Sequence, residues 1–218
     1  NYRCNLIKPR SRRAAKSRST GDTKQVLVDA AIKLFADRGF DGTTTRDIAE
    51  ASGLNISLIS YYFGGKDGLL HAALEYIESF INKPQLLQIT PDCELYFAGL
   101  RDFIADFICS HVANPSMHRL VQREQERDST VFKTLVQQRY APWYKRIITY
   151  IEFGQSSGWL KPHLNPSTVA LAITGAMVQQ VRLDIFLQQL RGDTLKDRSY
   201  REVVIEDLCS LLLTGIKV

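Results

Sequence analysis

The side chains best suited to chemistry lie between Gly42 and Lys66, where polar residues recur through two short helical periods. The guanidinium of Arg46 and the hydroxyls of Thr44 and Tyr61 donate hydrogen bonds. Such donors suit the phosphate oxygens and base edges of a nucleic acid. Neither a Ser/His/Asp arrangement nor a Cys/His set at metal-ligand spacing stands out in the chain, so the pattern favours binding over nucleophilic or zinc chemistry.

The same stretch predicts two short helices joined by a tight turn. Thr44 and Asp47 form a capping pair that starts the first helix. Gly53 permits the turn, and Asn55 is a suitable N-cap for the second helix. The expected anchors are Ile48, Ala49, Leu54, Leu58 or Ile59, Tyr62 and Phe63, and the expected outward residues are Ile56, Ser57, Ser60 and Tyr61. Because small outward side chains let a helix enter the DNA major groove, this layout is that of a helix-turn-helix.

The rest of the chain repeats apolar residues at helical spacing and contains no strand alternation of useful length. We therefore expect an all-α fold with about nine helices. The predicted helices are 22–38, two short helices within 43–63, one from Gly65 to Pro84, then 95–112, 116–127, 129–153, 167–190 and 199–216. Pro142 marks a candidate kink in the helix 129–153.

Residues 23–70 resemble the TetR family of transcriptional regulators. The family pattern T-T-x-x-I-A-x-x-A-G-V-S-x-G-x-L-Y-x-H-F-x-x-K-x-x-L is met by Thr44, Thr45, Ile48, Ala49, Gly53, Phe63, Lys66 and Leu69, with Leu54 and Ile59 in the Val and Leu places. The preceding helix, which ends at Phe40, is also typical of that family. The resemblance implies an N-terminal three-helix helix-turn-helix domain followed by a C-terminal helical effector-binding and dimerisation domain.

The resemblance also implies a role for each polar residue. Arg46, Ile56, Ser57 and Ser60 would face base edges, and Thr44, Thr45, Tyr61, Tyr62 and Lys66 would contact the DNA backbone. An arginine that bridges guanine O6 and N7 contributes about 1–3 kcal/mol of discrimination, and Ile56 suits a thymine methyl group. For Tyr61 and Tyr62 the alternative is packing in the core.

Three residues depart from the family pattern: Ser52 replaces Ala, Ser60 replaces Tyr and Tyr62 replaces His. The ending Tyr-Tyr-Phe-Gly-x-Lys resembles a smaller subgroup. In that subgroup, phosphate contacts of the missing tyrosine would pass to Tyr61.

Charge and composition divide the chain into a flexible basic arm at 1–21, a DNA-binding domain at 22–67 and a helical domain at 68–218. The formal net charge is +5, yet residues 1–24 alone contribute +7 and the remainder −2. The arm either lies in a minor groove or is a solvated tail.

The last two predicted helices carry more apolar surface than one layer needs, as in the four-helix dimer interface of the family. The expected interface residues are Val169, Ile173, Met177, Val181, Leu208 and Leu212. The alternative is an ordinary buried pair of helices.

An effector site is expected among aromatic and polar residues of the middle helices. The candidates are His118, Gln122, Glu124, Gln125, Trp143, Tyr144, Met177, Gln179 and Gln180. The alternative for each is an ordinary helix position. His111 and His118 would hold a metal only with partners that the sequence does not identify, so no metal or cofactor is predicted.

These features predict a cytoplasmic homodimeric repressor, not an enzyme, that binds double-stranded operator DNA and is released by a small-molecule effector. The longest apolar run, Val169–Val178, is short of the roughly 18–20 residues that span a bilayer, so no membrane partner is expected. The four cysteines are expected to be free thiols. The alternatives are a helical enzyme that modifies small molecules and a DNA-binding regulator that responds to oxidation at Cys93 or Cys109.

Overall fold

The structure is a computed structural model that describes residues 20–81 and 87–218. These residues form eleven α-helices and one π-helix, and their only β-type pairing is an isolated bridge between Leu160 and Lys217. The helices are α1 (Thr20–Arg38), α2 (Thr45–Ser52), α3 (Ser57–Phe63), α4 (Lys66–Ile81), α5 (Cys93–Ala113), α6 (Pro115–Arg127), α7 (Thr130–Leu135), the π-helix (Val136–Tyr140), α8 (Ala141–Ser156), α9 (Pro166–Arg182), α10 (Asp184–Arg191) and α11 (Arg198–Ile216). The all-α prediction is confirmed. Residues 1–19 of the predicted arm, and the predicted helix stop at Pro84, lie outside the described residues.

Two predicted helices are each divided in the structure. The predicted helix 129–153 becomes α7, the π-helix and α8, and Pro142 lies in the first turn of α8, where a missing amide donor is tolerated. The predicted helix 167–190 becomes α9 and α10, which are bent by 54° at Leu183. The first break lies beside Pro142, where the sequence places a kink, whereas a continuous apolar period conceals the second.

The described residues divide into two compact units, which we call the N-terminal unit (20–81 and 114–140) and the C-terminal unit (87–113 and 141–218). Helices α6 and α7 therefore pack with the helix-turn-helix. The functional boundary at 67/68 stays a prediction.

In the N-terminal unit, α1 packs against α2, α4 and α6, and α4 also packs against α3 and α7. The core of this unit consists of buried aliphatic and aromatic side chains from these helices. Its fully buried members include Leu27, Phe35, Ile48, Ile59, Leu69, Leu70, Leu74 and Leu120.

In the C-terminal unit, α5, α8, α9 and α11 pack around a separate core that is centred on two tyrosines. The rings of Tyr96 and Tyr150 stack with centroids 4.4 Å apart. Each hydroxyl donates to the other residue's carbonyl oxygen, Tyr96 at 3.0 Å and Tyr150 at 2.8 Å. Burial raises the pKa of Tyr150 to about 12, so the hydroxyl keeps its proton. A side chain at Gly154 would collide with the hydroxyl of Tyr96, so only glycine fits there.

Two further expectations bear on location and redox state. Within the described ranges no single helix is long and apolar enough to cross a membrane, although the bent pair α9 and α10 passes on length and composition alone. The expectation of free thiols is confirmed for Cys93 and Cys209.

Candidate nucleic-acid interface

The start of α2 is fixed by the predicted capping pair. Thr44 Oγ1 accepts from the amide of Asp47 at 3.1 Å, and Asp47 Oδ2 accepts from the amide of Thr44 at 2.8 Å. The hydroxyl of Thr44 also donates to Asp47 Oδ2 at 2.5 Å. These hydrogen bonds from Thr44, together with Arg38, hold the pKa of Asp47 below its ordinary value. The capping prediction is confirmed, and both hydrogen-bonding groups of Thr44 take part in it.

The turn between α2 and α3 depends on backbone conformation. Gly53 has φ +67°, in the left-handed region, and no atom lies within 4 Å of the place where a Cβ would project. Glycine is therefore favoured by its backbone angle rather than by crowding. The next helix begins at Ser57, and Asn55 Oδ1 accepts from the Ser57 amide at 2.9 Å and from its hydroxyl at 2.8 Å. The N-cap position of α3 is Ile56, whose side chain makes no capping hydrogen bond, so the prediction of Asn55 as the N-cap is wrong by one residue even though Asn55 binds the first amide of the helix.

The two short helices separate an apolar inner side from a polar outer side. Ile48, Ala49 and Ile59 are buried, so Ile59 rather than Leu58 is the main anchor of α3. Among the residues predicted to face DNA, the exposed ones are Thr44, Arg46, Ile56, Ser57, Ser60 and Tyr61, and the half-buried ones are Thr45, Tyr62 and Lys66. One continuous stretch of chain therefore supplies an exposed set of hydrogen-bond donors and small side chains.

The neighbouring tyrosines have different environments. Tyr61 is 79% exposed, whereas the half-buried Tyr62 packs against the core of the N-terminal unit. Their rings meet edge to face at 4.9 Å, and Lys24 Nζ lies 5.4 Å from the Tyr62 ring centroid. The core-packing alternative therefore fails for Tyr61, whereas Tyr62 packs against the core with part of its side chain and leaves the rest accessible.

Lys66 has an intramolecular role that sequence reasoning missed. Its Nζ donates to the carbonyl oxygens of Phe40 at 2.9 Å and Thr43 at 3.0 Å, and it lies 4.1 Å from the Phe40 ring centroid. Two of its three donors are thus used to hold the turn between α1 and α2. No periodicity links positions 40 and 66, so the sequence contains no signal for this contact. The phosphate contact of Lys66 stays a prediction.

The predicted effector residues do not belong to one unit. His118, Gln122, Glu124 and Gln125 lie on α6 in the N-terminal unit, and Trp143, Tyr144, Met177, Gln179 and Gln180 lie in the C-terminal unit. Two of them have structural partners that account for their burial. Glu124 is buried and accepts hydrogen bonds from Arg127 and Ser129, and Met177 is fully buried in the core of its unit.

Three of the predicted dimer residues require a correction, because Val169, Ile173 and Met177 are buried in the core of their own chain. Val181, Leu208 and Leu212 are half-buried against that core, and their place in an interface stays a prediction. A helix that is apolar on nearly all sides does not show which side faces its own core. Large apolar side chains of this unit that are exposed include Leu171 on α9, Ile185, Phe186 and Leu190 on α10, and Val203 and Leu211 on α11.

Comparisons with known proteins agree with this geometry. The family model of bacterial regulatory proteins, tetR family, matches residues 27–73. The chain is 30% identical over 115 residues to the probable HTH-type transcriptional regulator YttP of Bacillus subtilis (strain 168), a match that covers 52% of this chain and 56% of that protein. It is 26% identical over 196 residues to the HTH-type transcriptional dual regulator CecR of Shigella flexneri, with coverages of 84% and 78%. The match to the first of these relatives thus spans little more than half of its length.

Solved structures share the fold. The fatty acid degradation regulator FadR from Bacillus halodurans superposes with a TM-score of 0.72 at 18% identity, covering 92% of this chain and 98% of that one. The ketosteroid transcriptional regulator KstR2 of Mycobacterium tuberculosis gives 0.69 at 19% identity, covering 94% and 100%. The relatives in sequence are transcriptional regulators by name, which weighs against the enzyme alternative. Residues 27–73 of the chain are therefore similar to the tetR family of bacterial regulatory proteins, the relatives in sequence are named as transcriptional regulators, and the chain shares its fold with solved regulators.

Proposed function

We propose that this protein is a homodimeric, sequence-specific DNA-binding repressor that leaves its operator when a small organic ligand binds in the C-terminal unit. The observation that supports DNA binding best is the pairing of a buried side with an exposed side on α2 and α3. Ile48 and Ile59 anchor these helices, while Arg46, Ser60 and Tyr61 remain exposed.

In this proposal α3 enters the major groove with Ile56, Ser57 and Ser60 towards the bases. Arg46 at the start of α2 reads a guanine, and small side chains permit the close approach that base contacts require. We assign backbone contacts to Thr44, Thr45, Tyr61, Tyr62 and Lys66. Tyr61 takes the place of the tyrosine that the family pattern has at position 60, as in the subgroup ending Tyr-Tyr-Phe-Gly-x-Lys.

A dimer supplies two recognition helices for a palindromic operator. We assign its interface to exposed apolar residues of α9 and α11, namely Leu171, Val203 and Leu211, in place of the buried residues predicted from sequence. A two-fold dimer places its recognition helices about 34–36 Å apart, one turn of DNA.

The effector acts by differential affinity. A ligand shifts the equilibrium only if it binds the DNA-free conformation more tightly than the operator-bound one. We place it near Trp143 and Tyr144, because aromatic side chains suit an apolar ligand. The solved regulators named for fatty acid degradation and for ketosteroids support an apolar organic ligand of this kind.

Selection of DNA from a randomised duplex library tests the proposal. The purified chain should enrich a palindrome whose half-sites are about one helical turn apart. Titration of the recovered duplex with a panel of fatty acids, steroids and aromatic compounds should then identify a compound that releases the protein. If no sequence is enriched above the starting library, the proposed function is wrong.

A further inference from the structure

Three arginines on α6 are spaced four residues apart and form one row on the helix: Arg119, Arg123 and Arg127. The first two contact the C-terminal end of α1. Arg119 Nη1 donates to the carboxylate of Asp37 at 3.1 Å, and Arg123 Nη2 donates to the carbonyl oxygen of Asp37 at 3.3 Å. Cations at this end also complement the negative end of the α1 dipole.

The third arginine contacts the turn that follows α1. The guanidinium of Arg127 lies 4.3 Å from the ring centroid of Phe40, and its Nη1 is 3.9 Å from Asp41 Oδ1. Its Nε and Nη2 donate to Glu124 Oε2 at 3.2 and 2.9 Å. Glu124 is buried and also accepts from Ser129 at 2.8 Å. The carboxylate of Glu124 is thus held in place and in turn holds the guanidinium of Arg127.

Phe40 therefore contacts two cations that belong to different helices. Lys66 of α4 and Arg127 of α6 both lie within 4.3 Å of its ring centroid, and Lys66 also donates to its carbonyl oxygen. Thr43 is fully buried and donates to the carbonyl oxygen of Gly39 at 2.8 Å. The next residue is Thr44, the N-cap of α2. The turn 39–43 is thus held in place, and it lies immediately before α2 and its exposed residues in the chain.

We propose that Arg127 is a positioning residue for DNA binding: with Lys66 it holds Phe40 and thereby fixes the start of α2. The inference rests on the proposed function, because it takes DNA as the partner of these helices. Arg127 makes no DNA contact in this account, since its guanidinium is already engaged by Glu124, Asp41 and Phe40.

The test compares Arg127→Met with Arg139→Met. Arg139 is an exposed arginine of the same unit and lies 3.6 Å from Glu75, so both variants remove one guanidinium that faces a carboxylate. The probe is the duplex that the wild-type chain recovers from the randomised library. We expect Arg127→Met to weaken specific binding about tenfold, the cost of one misplaced base contact, and Arg139→Met to leave it unchanged.

Two readouts separate positioning from other roles. If Arg127 bound a phosphate directly, its removal would reduce the slope of log affinity against log salt by about one, whereas positioning leaves the slope unchanged. Hydrogen exchange should become faster at the amides of Thr43 and Asp47 and stay unchanged at Leu74 in the core. The reduced slope, or equally faster exchange at all three amides, would overturn the proposal.

Arg127→Lys guards against a variant that does not fold. It keeps the charge but removes the planar group that meets Glu124 and Phe40, so we expect a smaller loss of specific affinity in the same direction. Wild-type affinity in both Arg127 variants would overturn the inference alone. A wild-type chain that recovers no duplex would instead overturn the proposed function, and the inference with it.

Discussion

The N-terminal and C-terminal units differ in how well their sequences indicate which side of a helix faces inward. In the N-terminal unit, Ile48 and Ile59 are buried and Arg46 and Tyr61 are exposed, as predicted. In the C-terminal unit, residues predicted for an outer contact surface, such as Ile173, lie in the core of the chain.

The difference has a physical cause. Caps and left-handed turns fix where a short helix begins and ends, as Thr44 and Gly53 do for α2, and hence which side each residue occupies. The helices of the C-terminal unit are apolar on several sides, and their orientation depends on contacts distant in sequence, such as the paired Tyr96 and Tyr150. A local signal therefore decides orientation in one unit and distant packing decides it in the other.

The largest effect should come from filling the space beside the tyrosine pair. Gly154→Ala should destabilise the C-terminal unit by about 3 kcal/mol, because the new methyl group meets the Tyr96 hydroxyl and Leu160 in a close-packed core. Gly175→Ala is the matched control, since nothing lies within 4 Å of its Cβ position in α9. Urea unfolding measures the free energy of unfolding of both variants. Equal values would show that the tyrosine pair gives way to the added methyl group.

The same unit should be sensitive to acid through His111. Burial lowers the pKa of His111 to about 4, and its Nδ1 is hydrogen-bonded to the Phe107 carbonyl oxygen at 2.5 Å. Because the unfolded chain takes up a proton near pH 6.5 and the folded chain near pH 4, stability falls as the pH is lowered through this window, by about 2–3 kcal/mol.

His111→Gln should remove most of this loss between pH 7 and 4.5, as followed by urea unfolding at both pH values. His163→Gln serves as the control, because His163 is exposed in the same unit. An unchanged pH dependence in His111→Gln would assign the acid sensitivity to another group.

In the N-terminal unit the largest effect should be on DNA rather than on folding. Arg46→Ala should weaken binding to the selected duplex by about 1–3 kcal/mol, the value of a bidentate base contact, with the unfolding midpoint unchanged. Lys133→Ala removes an exposed charge that is paired with Asp128 and should not alter specific binding. Fluorescence anisotropy measures the affinity of both variants for the duplex. An equal loss of affinity in the two would show that Arg46 acts through its charge alone.

The smallest effect distinguishes the two tyrosines. Tyr61→Phe should lose about 1 kcal/mol of DNA binding, the value of a hydroxyl that donates to phosphate, without a change in stability. Tyr62→Phe should alter DNA binding less, because the Tyr62 side chain is half-buried against the core. The reverse order in anisotropy titrations would transfer the backbone contact to Tyr62.

Sequence alone predicted the all-α class, the capping of α2 and the turn at Gly53, since each depends on neighbouring residues. It did not reveal that Lys66 and Arg127 meet at Phe40, because those contacts join residues far apart in the chain. The four-residue spacing of the arginines on α6 indicates that they lie on one side of the helix, but it does not identify the surface that they contact. The break between α9 and α10 was likewise hidden, because the apolar period continues through Leu183.

Hydroxyl-radical footprinting of Tyr61 tests the central claim most directly. This side chain is 79% exposed in the free protein and should be oxidised readily. When the selected duplex saturates the protein, our account predicts strong protection of Tyr61 and unchanged labelling of Phe186, an exposed side chain of α10 that lies outside the proposed dimer interface. Undiminished oxidation of Tyr61 at saturating DNA would contradict the assignment of α2 and α3 as the DNA-binding surface.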